Sequence, residues 1–382
     1  MAGADTGASR GDGTVAYIHN ALGRGYVGHL ARFHAGTEAD RSPYGFHRAE
    51  ELGFTVVLSE DSSHPVSRFL SRLSRKVLGF DAPHALTNRA RLRSSDVVWT
   101  LTEREAFGIA CLFFLGLAPR RPIVASSVWV VNDWGKIGLL RRRLYRRLGS
   151  YFTHVTVQSE ACLPLARSIF DQSIVGLMYF GINTTTFPIT RPRPRRRTGP
   201  ISIFAGGIDR TRDWKTLLKA FGNDDRFDVN IYCRWLDDAV AAKYRNVTSF
   251  RTMSIESFVE KIRRADFVVI PMHDNLYAGI TLALNSASLG TPVIATRTGG
   301  VPTYFGEDDV LYVGVDQADE MRDIALRTDD EAAVSRADAA QRRFLDRNYT
   351  SDGLMRQYAA LTHQILPDGA PTRERLDAAP GA

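Results

Sequence analysis

The chain has 382 residues, 44% hydrophobic and 24% charged, with a formal net charge of +7. That length corresponds to two domains, each able to bury its own core, and the composition excludes a disordered chain, a collagen or a coiled coil. Only six of the 49 basic residues are Lys, an Arg excess that suits capture of an anionic partner and equally fits a plain compositional bias. Cys111, Cys162 and Cys233 lack paired spacing, which argues against a disulfide framework or zinc site and for a reducing, cytoplasmic compartment. No apolar run approaches the ~18 residues that cross a bilayer, and the polar start MAGADTGASRGDG has no signal core.

In chain order, 1–13 reads as a flexible tail. Short apolar runs follow, separated by helical stretches: TVAYIHN (14–20), FTVVLSE (54–60), DVVWTLT (96–102), PIVASSVWV (122–130) and HVTVQSE (154–160). The segment PITRPRPRRRTGP (188–200), with Arg191, Arg193, Arg195, Arg196 and Arg197, can continue neither a helix nor a central strand, and reads as an exposed linker. Beyond it the same grammar returns in ISIFAGG (201–207), DVNIYCR (228–234), VTSFR (247–251), DFVVIPM (266–272), TPVIAT (291–296) and VLYVG (310–314). Continuous apolar strands alternating with helices predict parallel sheets covered on both faces. The expected organisation is two doubly wound domains, 14–187 and 200–347, joined by 188–199, then a closing helix over 348–365 and a tail over 366–382. Ligands of such sheets bind beyond the carboxyl ends of the strands, hence in the cleft between the domains.

The segment 271–302 carries the most chemistry. A strand ends at Pro271, a polar loop leads to Gly279, and an apolar helix runs to Gly290. Gly279, Ile280 and Thr281 thus sit at a helix N-terminus, where free N–H groups and the dipole favour a phosphate. An ordinary strand–loop–helix turn has the same pattern.

This block reads Asn285-Ser-Ala-Ser-Leu-Gly290-Thr-Pro292-Val-Ile-Ala, then Gly299-Gly300. It resembles the donor-sugar segment of the GT-B glycosyltransferases of family four. Ser159-Glu160-Ala161, Asn183 with Phe187, Gly206-Gly207, Arg212-Asp213 through Leu218, and Ala265-Asp266 through Pro271 match further pieces, over roughly 154–302. The resemblance implies an α/β GT-B architecture: two Rossmann-like domains facing a cleft, and a C-terminal helix returning to the first. It also implies a retaining, metal-independent transferase using a nucleoside-diphosphate-sugar. The family's two Glu residues fall on Tyr277 and Asn285. Asn285 keeps a carbonyl acceptor for the ribose, and Tyr277, Asn275 and His273 are candidate sugar contacts. Arg212, with Gly207, Arg210 and Lys215 beside it, is the expected diphosphate clamp. Arg234, Arg251 and Met253 fall at the base position, where Trp235 either stacks or belongs to the core. The Gly-rich loop at Gly25 and Tyr26 matches an acceptor loop.

The family's acceptor-side His is missing at Val128 and Trp129. Glu103 and Asp133, with Glu105 and Asn132 beside them, are the candidate substitutes for orienting or deprotonating a hydroxyl; Thr102 to Glu105 also reads as a helix start with first-turn acids. Gly23, Gly25 and Gly28 match a dinucleotide fingerprint, against which the C-terminal block argues. Over 136–151, Ile137, Leu140, Leu144, Leu148 and Tyr151 form a stripe among Lys136 and five Arg. Such a helix suits an anionic membrane surface or packs on the sheet. The alternatives to transfer are a sugar-nucleotide epimerase or hydrolase, a non-catalytic donor-binding protein and, on charge alone, a nucleic-acid binder.

Overall fold

The computed structural model describes residues 13–194, 199–207 and 210–366. Arg195, Arg196 and Arg197, and nearly all of both expected tails, lie outside the described residues. The first sheet holds β1 (Val15–His19), β2 (Thr55–Leu58), β3 (Val97–Thr100), β4 (Ile123–Ser127), β5 (His154–Val157) and β6 (Val175–Leu177), in the order β2-β1-β3-β4-β5-β6. The second holds β7 (Ile201–Gly206), β8 (Phe227–Tyr232), β9 (Val247–Phe250), β10 (Phe267–Ile270), β11 (Val293–Thr296) and β12 (Leu311–Val313), in the order β12-β11-β10-β7-β8-β9. Among the described residues all ten strand pairings are parallel, with registers such as Ala16↔Val97 and Ile203↔Val229. Residues on both faces of the central strands, such as Val97, Val98 and Trp99, are buried, which is why they read as unbroken apolar runs. Every strand expected from the sequence is present. Only β6 went unforeseen: it is three residues long, and Gly176 interrupts the apolar stretch around it.

In each sheet the strand order reverses direction beside the first strand, β1 or β7. The carboxyl ends at these switch points form the crevice that open α/β sheets use for ligands. The helices bearing on the site are α1 (Tyr26–His34), α2 (Pro65–Val77), α3 (Glu103–Phe114), α4 (Trp129–Asp133), α5 (Leu139–Gly149), α6 (Trp214–Phe221), α7 (Ile280–Ser288) and α8 (Ser351–Ile365). Helix α8 closes the chain back onto the first sheet. Trp99 Nε1 donates to Thr362 Oγ1 at 3.0 Å, and Tyr358 Oη donates to the Thr100 carbonyl at 3.2 Å. The chain crosses between the halves at Phe187, whose carbonyl accepts from Ser288 Oγ at 2.5 Å. Within the linker, the Thr190 carbonyl is bonded by Gln341 Nε2 at 2.9 Å, which anchors the crossing to the second half.

Of the stripe expected over 136–151, Leu148 is buried and Ile137, Leu144 and Tyr151 pack partly buried against the core, while Leu140 turns outward. Lys136 belongs to a separate turn, and the buried residues of α5 are Tyr145, Leu148 and Gly149. Leu140 is 80% exposed, as is Leu139 at 72%. Tyr145 joins the inward side, its ring stacked on Phe107 with centroids 4.5 Å apart.

Candidate active site in the interdomain cleft

A cavity of ≈ 770 Å³ opens between the two sheets, within the range of about 300–1,000 Å³ that ligand pockets occupy. Its C-terminal wall is built on α7. Gly279 N-caps this helix with φ +96, a left-handed conformation that suits glycine, and an added Cβ there would lie 2.8 Å from Val301 Cγ2. Gly279, Ile280 and Thr281 line the cavity, so the helix N-terminus presents its N–H groups to it. One turn on, Asn285 also lines it. Its side chain is buried, and Oδ1 has no hydrogen-bond partner among the described residues.

Arg212 completes this wall. Its backbone bridges Met272 in antiparallel fashion, and Nη1 donates to Met272 Sδ at 2.9 Å. The guanidinium passes over Gly207, where an added Cβ would sit 2.1 Å from Arg212 Nε; only glycine leaves the arginine this path into the cavity. Tyr232 and Phe258, ring centroids 5.6 Å apart, line the same end.

The N-terminal wall starts at the carboxyl end of β1. His19 stacks on His84 with centroids 5.0 Å apart, and burial, with His84 adding to it, holds His19 well below its usual range. The Asn20 backbone is tied at both ends: its N–H donates to Ser59 Oγ at 2.9 Å and its carbonyl accepts from His84 Nε2 at 3.1 Å. The Asn20 amide has neither Oδ1 nor Nδ2 paired among the described residues, although the residue is buried and lines the cavity. An unpaired buried polar group costs roughly 1–3 kcal/mol, and Asn20 and Asn285 bring such groups to the cavity, one from each half of the chain.

Glu105 faces the cavity, and Glu103 does not. Burial pushes the Glu105 carboxyl up to about 7, against the lowering effect of the Thr102 hydroxyl bonded to it. Glu103 is wholly buried, and its carboxylate accepts from the backbone N–H groups of Val128 at 2.6 Å, Trp129 at 3.1 Å and Val130 at 2.8 Å. It caps α4 and cannot reach an acceptor. Asp133 pairs with Lys136 Nζ at 3.2 Å, outside the cavity lining, while its neighbour Asn132 accepts from the Leu276 N–H at 3.1 Å and joins the two halves.

Other expected residues are also placed elsewhere. Asn275 is a loop organiser: Oδ1 accepts from the N–H groups of Tyr277 and Ala278, at 3.1 and 2.8 Å, and Nδ2 donates to the His273 carbonyl at 2.8 Å. His273 is half-exposed, approaches Asp213 Oδ2 at 3.7 Å and does not line the cavity. Arg210 and Lys215 are exposed and do not line the cavity. Arg251 is held outside by Asp238 at 2.9 Å, and Met253 packs against the core. Trp235 is 70% exposed beneath the Arg234 guanidinium, so it is no core residue, and neither of the two lines the cavity. Tyr277 does line it. In the Gly-rich loop, Asp61 accepts from the Gly23 and Gly25 N–H groups at 2.9 and 3.1 Å. The donors a dinucleotide phosphate needs are therefore already taken, and Gly25 and Tyr26 start α1 outside the cavity lining. Arg24, from this loop, does reach the cavity.

Solved structures share this architecture. Sucrose-phosphate synthase from Thermosynechococcus elongatus superposes with a TM-score of 0.70 at 14% identity, over 93% of this chain and 100% of that one. HepE from Anabaena, in complex with UDP and glucose, gives 0.67 at 11% identity, over 92% and 100%. The fold is GT-B.

An alpha,alpha-trehalose-phosphate synthase (UDP-forming) from Burkholderia vietnamiensis has this GT-B architecture too, with a TM-score of 0.61 at 10% identity over 92% of this chain and 100% of that one. No protein-family model matches the chain. Among curated proteins, D-inositol 3-phosphate glycosyltransferase from Saccharomonospora viridis is 31% identical over 130 residues, covering 32% of this chain and 30% of that protein. The enzyme of the same name from an Arthrobacter species is 28% identical over 162 residues, covering 36% and 38%. The chain thus spans about a third of the length of the curated relatives it matches.

Charge around the GT-B cleft is unbalanced. Arg24, Arg75, Arg104, Arg141 and Arg212 line it against two acids, Asp81 and Glu105, which favours an anionic ligand. The group among the described residues that can hold a metal ion is Asp213, His273 and Asp316, whose ligand atoms lie within 4.8 Å of one another. These three do not line the cavity.

Proposed function

We propose that the protein is a retaining, metal-independent glycosyltransferase that moves a sugar from a nucleoside-diphosphate-sugar to an acceptor hydroxyl. The observation that carries this reading is the convergence, in one cavity, of the Gly279 helix N-terminus, the Arg212 guanidinium and the unpaired Asn285 Oδ1. The first two suit the diphosphate, whose charge rises as the sugar departs. Asn285 Oδ1 is an acceptor for a ribose hydroxyl, and the rings of Tyr232 and Phe258 offer a face to the base. UDP and UDP-glucose, bound by HepE from Anabaena, are accordingly the first ligands to test.

The acceptor enters from the N-terminal wall. Asn20 holds it by its free amide, and the arginines on that wall suit an acceptor with an anionic group near the reacting hydroxyl. The anomeric carbon–oxygen bond to the diphosphate breaks, and the acceptor oxygen bonds the same carbon on the same face. The hydroxyl proton passes to Glu105, whose raised affinity for protons matches it to that task near neutral pH. Retention and independence from metal rest on the resemblance of the 271–302 block. A cytoplasmic location is supported by three free cysteines. The test is product analysis by proton NMR after incubation with UDP-glucose and a phosphorylated polyol, in the presence of EDTA. A glycoside of the donor's anomeric configuration is expected. An inverted product, or free sugar alone whatever the acceptor, overturns the reading.

A further inference from the structure

Helix α2 has its polarity reversed. Its buried positions are Ser71 and Ser74, whereas Val66, Phe69, Leu70, Leu73 and Val77 are 57%, 63%, 45%, 47% and 55% exposed. At 3.6 residues per turn these five fall within an arc of about 100°. On the inner side Ser74 Oγ donates to the Phe80 carbonyl at 2.8 Å, while Ser71 Oγ is buried with no hydrogen-bond partner among the described residues. A helix of a water-soluble domain normally presents the opposite arrangement, so its outward face requires a partner.

That partner must also meet a dense positive field. Helix α2 carries Arg68, Arg72, Arg75 and Lys76, and 134–151 carries Lys136 and five Arg, with no Asp or Glu in either segment. The two segments are one unit: Arg141 Nε and Nη2 donate to the Val77 and Lys76 carbonyls at 2.9 and 2.6 Å, and Tyr145 Oη donates to the Leu78 carbonyl at 2.8 Å. The exposed Leu139 and Leu140 sit beside this staple. A second copy of the chain would oppose cation to cation across such a face. An anionic bilayer complements both features, taking the apolar side chains between its headgroups and the cations at their phosphates. No helix among the described residues is long and apolar enough to cross a membrane, so contact is along the surface. We infer that α2 and the start of α5 form a docking surface for an anionic lipid bilayer. Arg75 and Arg141 belong both to this surface and to the cavity lining, which sets the mouth of the cleft at the headgroup layer.

The experiment is co-sedimentation of the full chain with phosphatidylcholine vesicles, with and without phosphatidylglycerol. The probes are Phe69→Ser/Leu70→Ser/Leu73→Ser and Arg72→Glu/Lys76→Glu, none of these positions lining the cleft. Their thermal melts are compared with wild type to show that they fold. Wild type is expected to bind only the anionic vesicles, and both variants to lose at least about tenfold in partitioning. The inference is overturned if wild type ignores anionic vesicles or if the triple-Ser variant binds as well as wild type. It is equally overturned if light scattering finds a dimer that the triple-Ser variant converts to a monomer without any vesicle binding.

Discussion

Replacing Asn285 by Leu separates the stability of the empty protein from its affinity for a donor. Asn285 Oδ1 is buried on α7 without a partner, so the free protein carries a desolvation cost of roughly 1–3 kcal/mol. Leu has the same branched side-chain shape with no polar atoms, and its methyl groups extend into the open cavity beside Asn285. Asn285→Leu is therefore expected to leave the apo protein unchanged or up to about 2 kcal/mol more stable. In the complex the sign reverses: the ribose hydroxyl loses its acceptor and is itself left unpaired, about 1.5–3 kcal/mol or ~10–150-fold in Kd. Urea unfolding and calorimetric titration with UDP measure the two quantities on one sample. A variant that binds UDP as tightly as wild type would refute the placement of the ribose. One that unfolds well below wild type would refute the claim that Oδ1 is unsatisfied.

Glu105 gives a pH-dependent counterpart. Its folded-state affinity, about 7, is raised above the ordinary 4.5, so ionisation opposes folding: the contribution is neutral below 4.5, grows steadily more unfavourable between 4.5 and 7, and levels off above about 7. Glu105→Gln should match wild type at pH 4 and exceed it by up to ~3 kcal/mol at pH 8, while flattening the rise of kcat with pH near 7; equal melts at both pH values would contradict this. Glu103→Ala is expected to cost ~3–5 kcal/mol in urea unfolding, since three buried or partly buried N–H groups lose their acceptor. A well-folded Glu103→Ala that lost only kcat would restore Glu103 as a catalytic group. Asn20→Leu should raise the acceptor KM about tenfold and leave UDP affinity untouched, as two titrations would show.

The sheets were legible because each central strand is buried on both faces and so spells out an apolar run. The C-terminal wall of the cavity was legible for a similar reason: a strand end, a glycine and a helix start are local events, and they put Gly279 and Asn285 where the cavity is. The N-terminal wall was not. Glu103 and Glu105 stand in the same first helical turn, about 200° apart around the axis, and only the docking of α3 decides which one meets the cleft. Asn275 looked like a sugar contact because polar loop residues beside a site resemble it chemically. Its side chain is consumed in shaping the loop. Helix α2 spelled an ordinary amphipathic pattern, and pattern alone does not say which face turns inward.

Calorimetric titration with UDP, on wild type and on Arg212→Ala, addresses the central claim most directly. Saturable one-site binding is expected for wild type. Loss of the charge-assisted contact should weaken it by about 1.5–3 kcal/mol in the variant, ~10–150-fold. Identical affinities, or no saturable binding of UDP, GDP or dTDP to wild type, would contradict the assignment of this cleft to a nucleoside-diphosphate-sugar.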